Sequence, residues 1–120
     1  MRDISFRAKN LDGIWFKWKL LDPIDMATLA IDPQTLGQST GLKDKNGVLI
    51  YEGDILGYPN PKIKREVKFG SEILTVEEYG QRMVGFYLTE SNGERGFLEP
   101  NPAPYYEVIG DIYENPELIK

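Results

Sequence analysis

Two Gly-Asp-Ile stretches, at residues 53–55 and 110–112, are the first candidates for chemistry in this sequence. Paired carboxylates bind divalent metal ions or share general acid and base roles, so Asp54 and Asp111 would form such a site if the fold brought them together. Turns also use these residue types, because Gly accepts positive φ and Asp bonds to nearby backbone amides. We therefore favour structural turns at Gly53, Asp54, Gly110 and Asp111. A carboxylate-dependent metal hydrolase is the less favoured alternative.

The sequence contains no histidine and no cysteine. Without histidine there is no imidazole base, no histidine-based triad and no imidazole metal ligand. Without cysteine there are no disulfides and no thiolate metal sites. An enzyme would have to work with carboxylates, lysine or tyrosine alone. We therefore expect a non-enzymatic protein with no catalytic residue, no bound metal and no cofactor.

The charge of the chain argues against nucleic acid as a partner. The net charge is -5 and the sequence pI is about 4.8, so the chain lacks the general attraction to phosphate that nucleic-acid binders use. On a strand, Lys62, Lys64 and Lys68 would share one face and Arg65 would lie opposite. A solvated face or protection of a sheet edge explains such lysines more simply. A nucleic-acid-binding small β-barrel is kept as the alternative function.

Turn residues and short apolar runs predict a mainly β fold. Asn46 followed by Gly47 is a strong hairpin signal, and we predict a type I′ turn in which both residues have positive φ. Asn92 and Gly93 form a second pair of this kind. Proline-rich breaks separate several short apolar runs, a pattern typical of antiparallel sandwiches and barrels.

The aromatic residues near the N-terminus predict an assembly. Residues 4–18 have the pattern of a hairpin, and alternation on its second strand places Ile14, Phe16 and Trp18 on one face and Trp15 on the other. Because only one face can cover a barrel, Trp15, Phe16 and Trp18 are a possible interface. Residues 1–20 carry a net charge of +3 and residues 90–120 a net charge of -5. We therefore expect a homo-oligomer in which a neighbour's C-terminal strand covers Trp15.

Three segments resemble the YopX family of small proteins encoded by phages and prophages. They are "IDPQTLGQSTGLKDKNGVLIYEGDI" at residues 31–55, "MRDISFRAKN" at residues 1–10 and "EVIGDIYENPELI" at residues 107–119. The resemblance implies an N-terminal β extension over residues 1–41 and an SH3-like β-barrel over residues 42–120. It brings no established activity and no catalytic residue.

The same features give an expectation for location and partners. The first ten residues are charged where a signal peptide is apolar, and no apolar run approaches the roughly 20 residues that span a bilayer. We expect a protein of the bacterial host cytoplasm, outside the membrane. Its partner would be an unidentified phage or host protein, and its role that of a binding or assembly module.

Overall fold

The computed structural model describes residues 4–19, 30–58, 62–76, 79–90, 95–98 and 106–119. Within them the chain is mainly β, as predicted, with two 3₁₀ turns at Pro33–Thr35 and Pro116–Ile119. The described strands are β1 (Ser5–Lys9), β2 (Trp15–Lys19), β3 (Gly37–Lys43), β4 (Leu49–Tyr51), β5 (Asp54–Gly57), β6 (Lys64–Val76), β7 (Tyr79–Glu90), β8 (Arg95–Phe97) and β9 (Glu107–Asp111). In these residues no helix has the length and apolar character needed to cross a membrane.

The first sheet has the strand order β2-β1-β3-β4, and its described pairs are antiparallel. β1 and β2 form the hairpin that the sequence predicts over residues 4–18. Asn10 shapes the turn between them, because its Oδ1 accepts hydrogen bonds from the amides of Asp12 and Ile14. A short polar side chain of this kind replaces backbone partners in a turn, so the hairpin is set by local chemistry.

The turn between β3 and β4 contains Asn46 and Gly47, and the hairpin predicted there is confirmed. The predicted type I′ conformation is wrong, because Gly47 has a φ of 80° but Asn46 has no positive φ. The amide of Gly47 bonds to the carbonyl of Asp44 at 3.0 Å, and the amide of Asp44 bonds to the carbonyl of Val48 at 2.8 Å. This is the pattern of a type I turn followed by a glycine bulge.

Asp44 explains why this turn forms. Its side chain is buried, and its Oδ1 accepts hydrogen bonds from the amides of Asn46 and Val48. Its Oδ2 accepts a third hydrogen bond, from the amide of Val108 at the other end of the chain. One carboxylate therefore shapes the turn and ties it to β9.

The second sheet has the strand order β8-β7-β6-β5-β9, and its described pairs are antiparallel. β5 to β8 follow one another as a meander, and β9 returns to pair with β5. The two Gly-Asp-Ile stretches therefore meet, with Asp54 opposite Asp111 in the register. β8 and β9 are the edges of this sheet, and no pairing among the described residues closes it into a barrel.

β6 and β7 form a longer ribbon than the short apolar runs predict. They contain 13 and 12 residues and remain in register from Arg65 opposite Glu90 to Val76 opposite Tyr79. Gly70 pairs with Gly85 in the middle of the ladder. Glycine inside a strand usually marks a bulge or a break, and for this reason the sequence predicts separate short strands. In the structure the two glycines continue the backbone pairing instead.

The core of the molecule joins the two sheets. Ile50 on β4 packs in one buried cluster with residues of the second sheet, namely Leu56, Val67 and Leu88, and with Tyr106. The ring of Tyr106 lies 4.6 Å from that of Tyr58. The predicted boundary between residues 41 and 42 falls inside β3, and the division into two domains stays a prediction.

Candidate binding site

A buried ion pair joins the N-terminal hairpin to β5. Arg7 lies on β1 and Asp54 begins β5, and their Nη2 and Oδ1 atoms are 2.7 Å apart. Both side chains are at least nine-tenths buried. The second carboxylate oxygen of Asp54 accepts a hydrogen bond from the amide of Tyr51 at 2.8 Å. Burial raises the pKa of Asp54, and the positive charge of Arg7 opposes that rise. The carboxylate of Asp54 thus has two structural partners.

Aromatic rings enclose the guanidinium of Arg7. Its central carbon lies 4.4 Å from the ring centre of Trp15 and 4.9 Å from that of Tyr51. Trp15 also packs edge to face on Tyr113, with ring centres 5.9 Å apart. Because a desolvated cation is attracted to an aromatic face, these rings stabilise the buried charge together with Asp54.

The cover of Trp15 corrects one expectation. A neighbour's C-terminal strand was predicted to cover this ring, but Tyr113 of the same chain contacts it. Lys9 and Glu114 form an ion pair at 3.1 Å in the same region. The basic N-terminal and acidic C-terminal segments therefore meet within one chain. Homo-oligomer formation itself stays a prediction.

Asp111 has a structural role like that of Asp54. Its Oδ1 accepts hydrogen bonds from the amides of Tyr113 and Glu114, at 2.9 and 2.8 Å. The preceding Gly110 lies against Asn115, whose Oδ1 would be 2.6 Å from a Cβ at that position. In the part of the chain that the structure describes, no three His, Cys, Asp or Glu residues group as metal ligands. The two aspartates are neighbours in the sheet, but each carboxylate holds its own turn.

An open cleft lies beside the Arg7–Asp54 ion pair. The β4–β5 turn, β6, β7 and the residues that follow β9 meet there. Its volume is about 190 Å³. Six charged or aromatic residues line it: Glu52, Glu66, Tyr87, Tyr113, Lys68 and Phe69. Phe69 is 50% exposed and packs on Phe86 with ring centres 4.9 Å apart. The cleft therefore combines carboxylates with aromatic surface.

The two glutamates of the cleft have little compensation for their charge. Burial raises the pKa of Glu52 and of Glu66. Among the described residues, the carboxylate of Glu52 accepts one long hydrogen bond, from the amide of Gln38 at 3.4 Å. The positive charge of Lys68 lowers the pKa of Glu66 in part. Neither glutamate makes an ion pair with another described residue. A cation entering the cleft would therefore meet two partly desolvated carboxylates.

Gly53 positions Tyr113 at the edge of the cleft. Gly53 has a φ of 92°, and a Cβ there would lie 3.1 Å from Cε2 of Tyr113. Its carbonyl accepts a hydrogen bond from the amide of Ile112, and its amide donates to the carbonyl of Val67. Burial raises the pKa of the Tyr113 hydroxyl, and the charge of Glu52 raises it further. The ring of Tyr113 thus packs on Trp15 beside the Arg7–Asp54 ion pair and also lines the cleft.

The other predicted site residues lie elsewhere. Phe16 and Trp18 occupy the face of β2 opposite Trp15, as alternation predicts, and Trp18 stacks on Phe6 with ring centres 6.0 Å apart. Asn92 and Gly93 lie outside the described residues. The lysine face is interrupted, because Glu66 lies on β6 between Lys64 and Lys68. The described residues thus bring together the two Gly-Asp turns and Trp15, but not Phe16, Trp18 or the basic candidates.

Sequence reasoning missed the residues of the cleft. Glu52 directly precedes Gly53, and Tyr113 follows Asp111 by two positions, so both flank the stretches that were singled out. The sequence presents the aspartates of these turns as candidate metal ligands. In the structure the turns position the neighbouring Glu52 and Tyr113 at the cleft. Their positions beside the two turns give no signal that distinguishes them from solvated residues.

Comparison with known proteins now identifies the family. A sequence model described as "YopX protein" matches residues 5–120, and the chain belongs to the YopX family. The crystal structure of protein EF1440 from Enterococcus faecalis is similar over 98% of each chain, with 22% sequence identity and a TM-score of 0.48. No curated protein matches the chain.

Proposed function

We propose that this YopX-family chain is a non-enzymatic accessory protein of a phage or prophage, acting as a protein-binding module in the cytoplasm of the bacterial host. The observation that carries the binding role is the open cleft beside the Arg7–Asp54 ion pair, which combines aromatic residues with two partly desolvated glutamates that make no ion pair with another described residue. Concave clefts with a few converging polar groups are the usual form of binding sites. Family membership supports the phage or prophage setting.

The chemistry of the aspartates supports binding over catalysis. Asp54 is held by Arg7 and the amide of Tyr51, and Asp111 is held by two amides of its own turn. A shared metal would have to displace these partners. These bonds weigh against the hydrolase alternative, although Asp54 lies opposite Asp111 in the sheet.

The nucleic-acid alternative is also the weaker proposal. Lys64 and Lys68 share a face of β6, but Glu66 lies on the same face between them. The chain has a net charge of -5, so few phosphates could be neutralised without repulsion elsewhere.

We further propose that the second sheet is an SH3-like barrel, as the family resemblance implies. The support is its strand order, in which β9 returns beside β5, the first strand of the meander. A binding cleft at the end of such a unit would be framed by its turns, which here are the β4–β5 turn and residues 112–113.

Selection from a random-peptide display library on the purified full chain tests the binding role. We expect enriched peptides whose affinity falls about tenfold, or about 1.4 kcal/mol, when Phe69 at the cleft is changed to Ala. Leu11→Ala is the matched control, because Leu11 is 76% exposed in the β1–β2 turn and does not line the cleft. Failure to enrich any peptide, or equal binding by both variants, would contradict the proposal.

A further inference from the structure

We propose that the cleft takes an arginine side chain from a basic segment of the partner protein. This inference rests on the proposed binding function and adds the chemistry of the occupant. It begins with size. The cleft measures about 190 Å³, below the roughly 300–1,000 Å³ of sites for drug-sized ligands and cofactors. One long side chain fits such a volume better than a free cofactor does.

Charge selects a cation. Glu52 and Glu66 both line the cleft, and neither makes an ion pair within the described residues. Partial burial costs their charged forms solvation, and an incoming cation would recover part of that cost. Lys68 is the only described cation in the lining, and its side chain is exposed. The lining therefore keeps a net negative charge.

Aromatic surface selects arginine among cations. A planar guanidinium can stack on a ring while it donates two parallel hydrogen bonds to a carboxylate. Tyr87 and Tyr113 supply rings beside the two glutamates, and Phe69 lines the cleft from the opposite face of β6. The same molecule already uses this combination nearby, where Arg7 bonds to Asp54 at 2.7 Å and lies 4.4 Å from the ring centre of Trp15. The cleft offers a second set of similar groups.

The sheet edge beside the cleft favours a peptide as the source of the arginine. β5 pairs with β6 only from Lys64 to Glu66, whereas β6 continues to Val76. Beyond Glu66 the amide of Gly53 bonds to the carbonyl of Val67, and the 3₁₀ turn at Pro116–Ile119 approaches β6. No described strand pairs with that edge of β6 farther on. Backbone groups alternate between the two edges of a strand, so Phe69 presents its amide and carbonyl there. An extended segment can pair with such an edge while its side chain enters a pocket.

Fluorescence polarisation with designed peptides tests this inference on the full chain. The probe is a labelled ten-residue Gly/Ser peptide with three arginines, and its counterpart carries citrulline, which is neutral and nearly isosteric, at the same positions. We expect saturable binding of the arginine peptide at physiological salt and about tenfold weaker binding of the citrulline peptide. Equal binding of the two peptides would overturn the role of charge.

Charge-matched variants distinguish binding in the cleft from a general attraction of the arginine peptide to an acidic protein. Glu52→Gln with Glu66→Gln should weaken the arginine peptide about tenfold or more. Asp12→Asn with Glu107→Gln removes the same charge outside the cleft lining and should change the affinity less than about threefold. Equal losses in the two double variants would overturn the inference.

A substitution that should strengthen binding, rather than weaken it, excludes a loss of folding as the cause of the effect. Lys68 lowers the pKa of Glu66 and so competes with an incoming cation. Because Lys68 is exposed, Lys68→Gln should leave the fold intact and strengthen binding of the arginine peptide by about twofold to fivefold. Weaker or unchanged binding would count against the inference. If display selection enriches neutral peptides that depend on Phe69, the binding function stands and the arginine inference fails.

Discussion

The guanidinium of Arg7 bonds to the carboxylate of Asp54 at 2.7 Å, although 47 positions separate the two residues. This contact joins the N-terminal hairpin to the first strand of the second sheet. Trp15 and Tyr113 pack around it, and Tyr113 continues into the cleft. The geometry of the proposed binding site therefore depends on a buried ion pair outside it.

Removing one member of this pair should destabilise the fold. Arg7→Met leaves the carboxylate of Asp54 buried without its cation, and losses of about 3–5 kcal/mol are typical of such a change. Lys45→Met is the control, because the Lys45–Glu107 pair is longer, at 3.7 Å, and partly exposed, and such pairs contribute less than about 1 kcal/mol. Urea denaturation measures both. Similar losses in the two variants would contradict a structural role for Arg7.

Two glycines in positive-φ turns should differ in their tolerance of a side chain. Gly47→Ala meets only backbone strain, since no atom lies within 4 Å of its added Cβ, and the expected loss is about 1 kcal/mol. Gly53→Ala adds a contact of 3.1 Å with the Tyr113 ring, so the expected loss is larger, about 2–3 kcal/mol. Denaturation midpoints decide the order. A larger loss at Gly47 would mean that Tyr113 does not pack on Gly53.

The cleft glutamates should make stability depend on pH. Their raised pKa means that the folded state binds these protons more tightly than the unfolded state. Their contribution to stability is therefore complete below the ordinary pKa of 4.5 and is lost as pH rises through the higher folded-state pKa. Glu52→Gln with Glu66→Gln should stabilise the chain at pH 7 relative to wild type, and less so near pH 4. Unfolding midpoints across this range test it, and a gain that grows as pH falls would contradict it.

Substitutions of Trp15 and Trp18 on β2 should affect different properties, one the stability of the chain and the other its assembly. Trp15 packs on Arg7, Lys9 and Tyr113 of its own chain, so Trp15→Ala should lower the unfolding midpoint without changing the molar mass in solution. The expected homo-oligomer would then use the opposite face, which carries Trp18, and Trp18→Glu should shift it toward monomer. Light scattering measures the molar mass, and urea denaturation measures the unfolding midpoint. A 13.7 kDa species at high micromolar concentration of wild type would contradict the assembly.

Duplex DNA should bind weakly. The acidic balance of the chain and the position of Glu66 between Lys64 and Lys68 leave few phosphate contacts. We expect no dissociation constant below about 10 µM at physiological salt, which is within or weaker than the range of non-specific binding. A submicromolar, salt-sensitive change in fluorescence anisotropy would favour the nucleic-acid alternative.

The sequence was most informative where local chemistry decides the structure. The β1–β2 hairpin follows from alternation and from turn residues such as Asn10. The sequence left open whether the two Gly-Asp-Ile stretches meet, and the structure pairs them. The turn at Gly47 was located correctly but assigned the wrong type. Its conformation depends on hydrogen bonds that the carboxylate of Asp44 accepts from two amides of the turn, and a side chain before the turn can override the preference of the central pair.

The site could not be predicted because its parts are distant in the chain. Glu52, Glu66 and Tyr113 come from three separate segments and share a cleft only through the fold. Nothing in their local patterns distinguishes them from solvated residues. The ion pair of Arg7 has the same origin, since alternation places Arg7 on a strand face but does not say what that face meets.

Amide NMR is the most direct test of the central claim that the cleft is a protein-binding site. The full chain, labelled with ¹⁵N, is titrated with the strongest peptide from the display selection. We expect the largest shifts to cluster at the cleft, on the amides of Gly53, Lys68 and Ile112, with little change at the Gly47 turn. Shifts centred on the face of Trp18, or spread evenly over the chain, would contradict it.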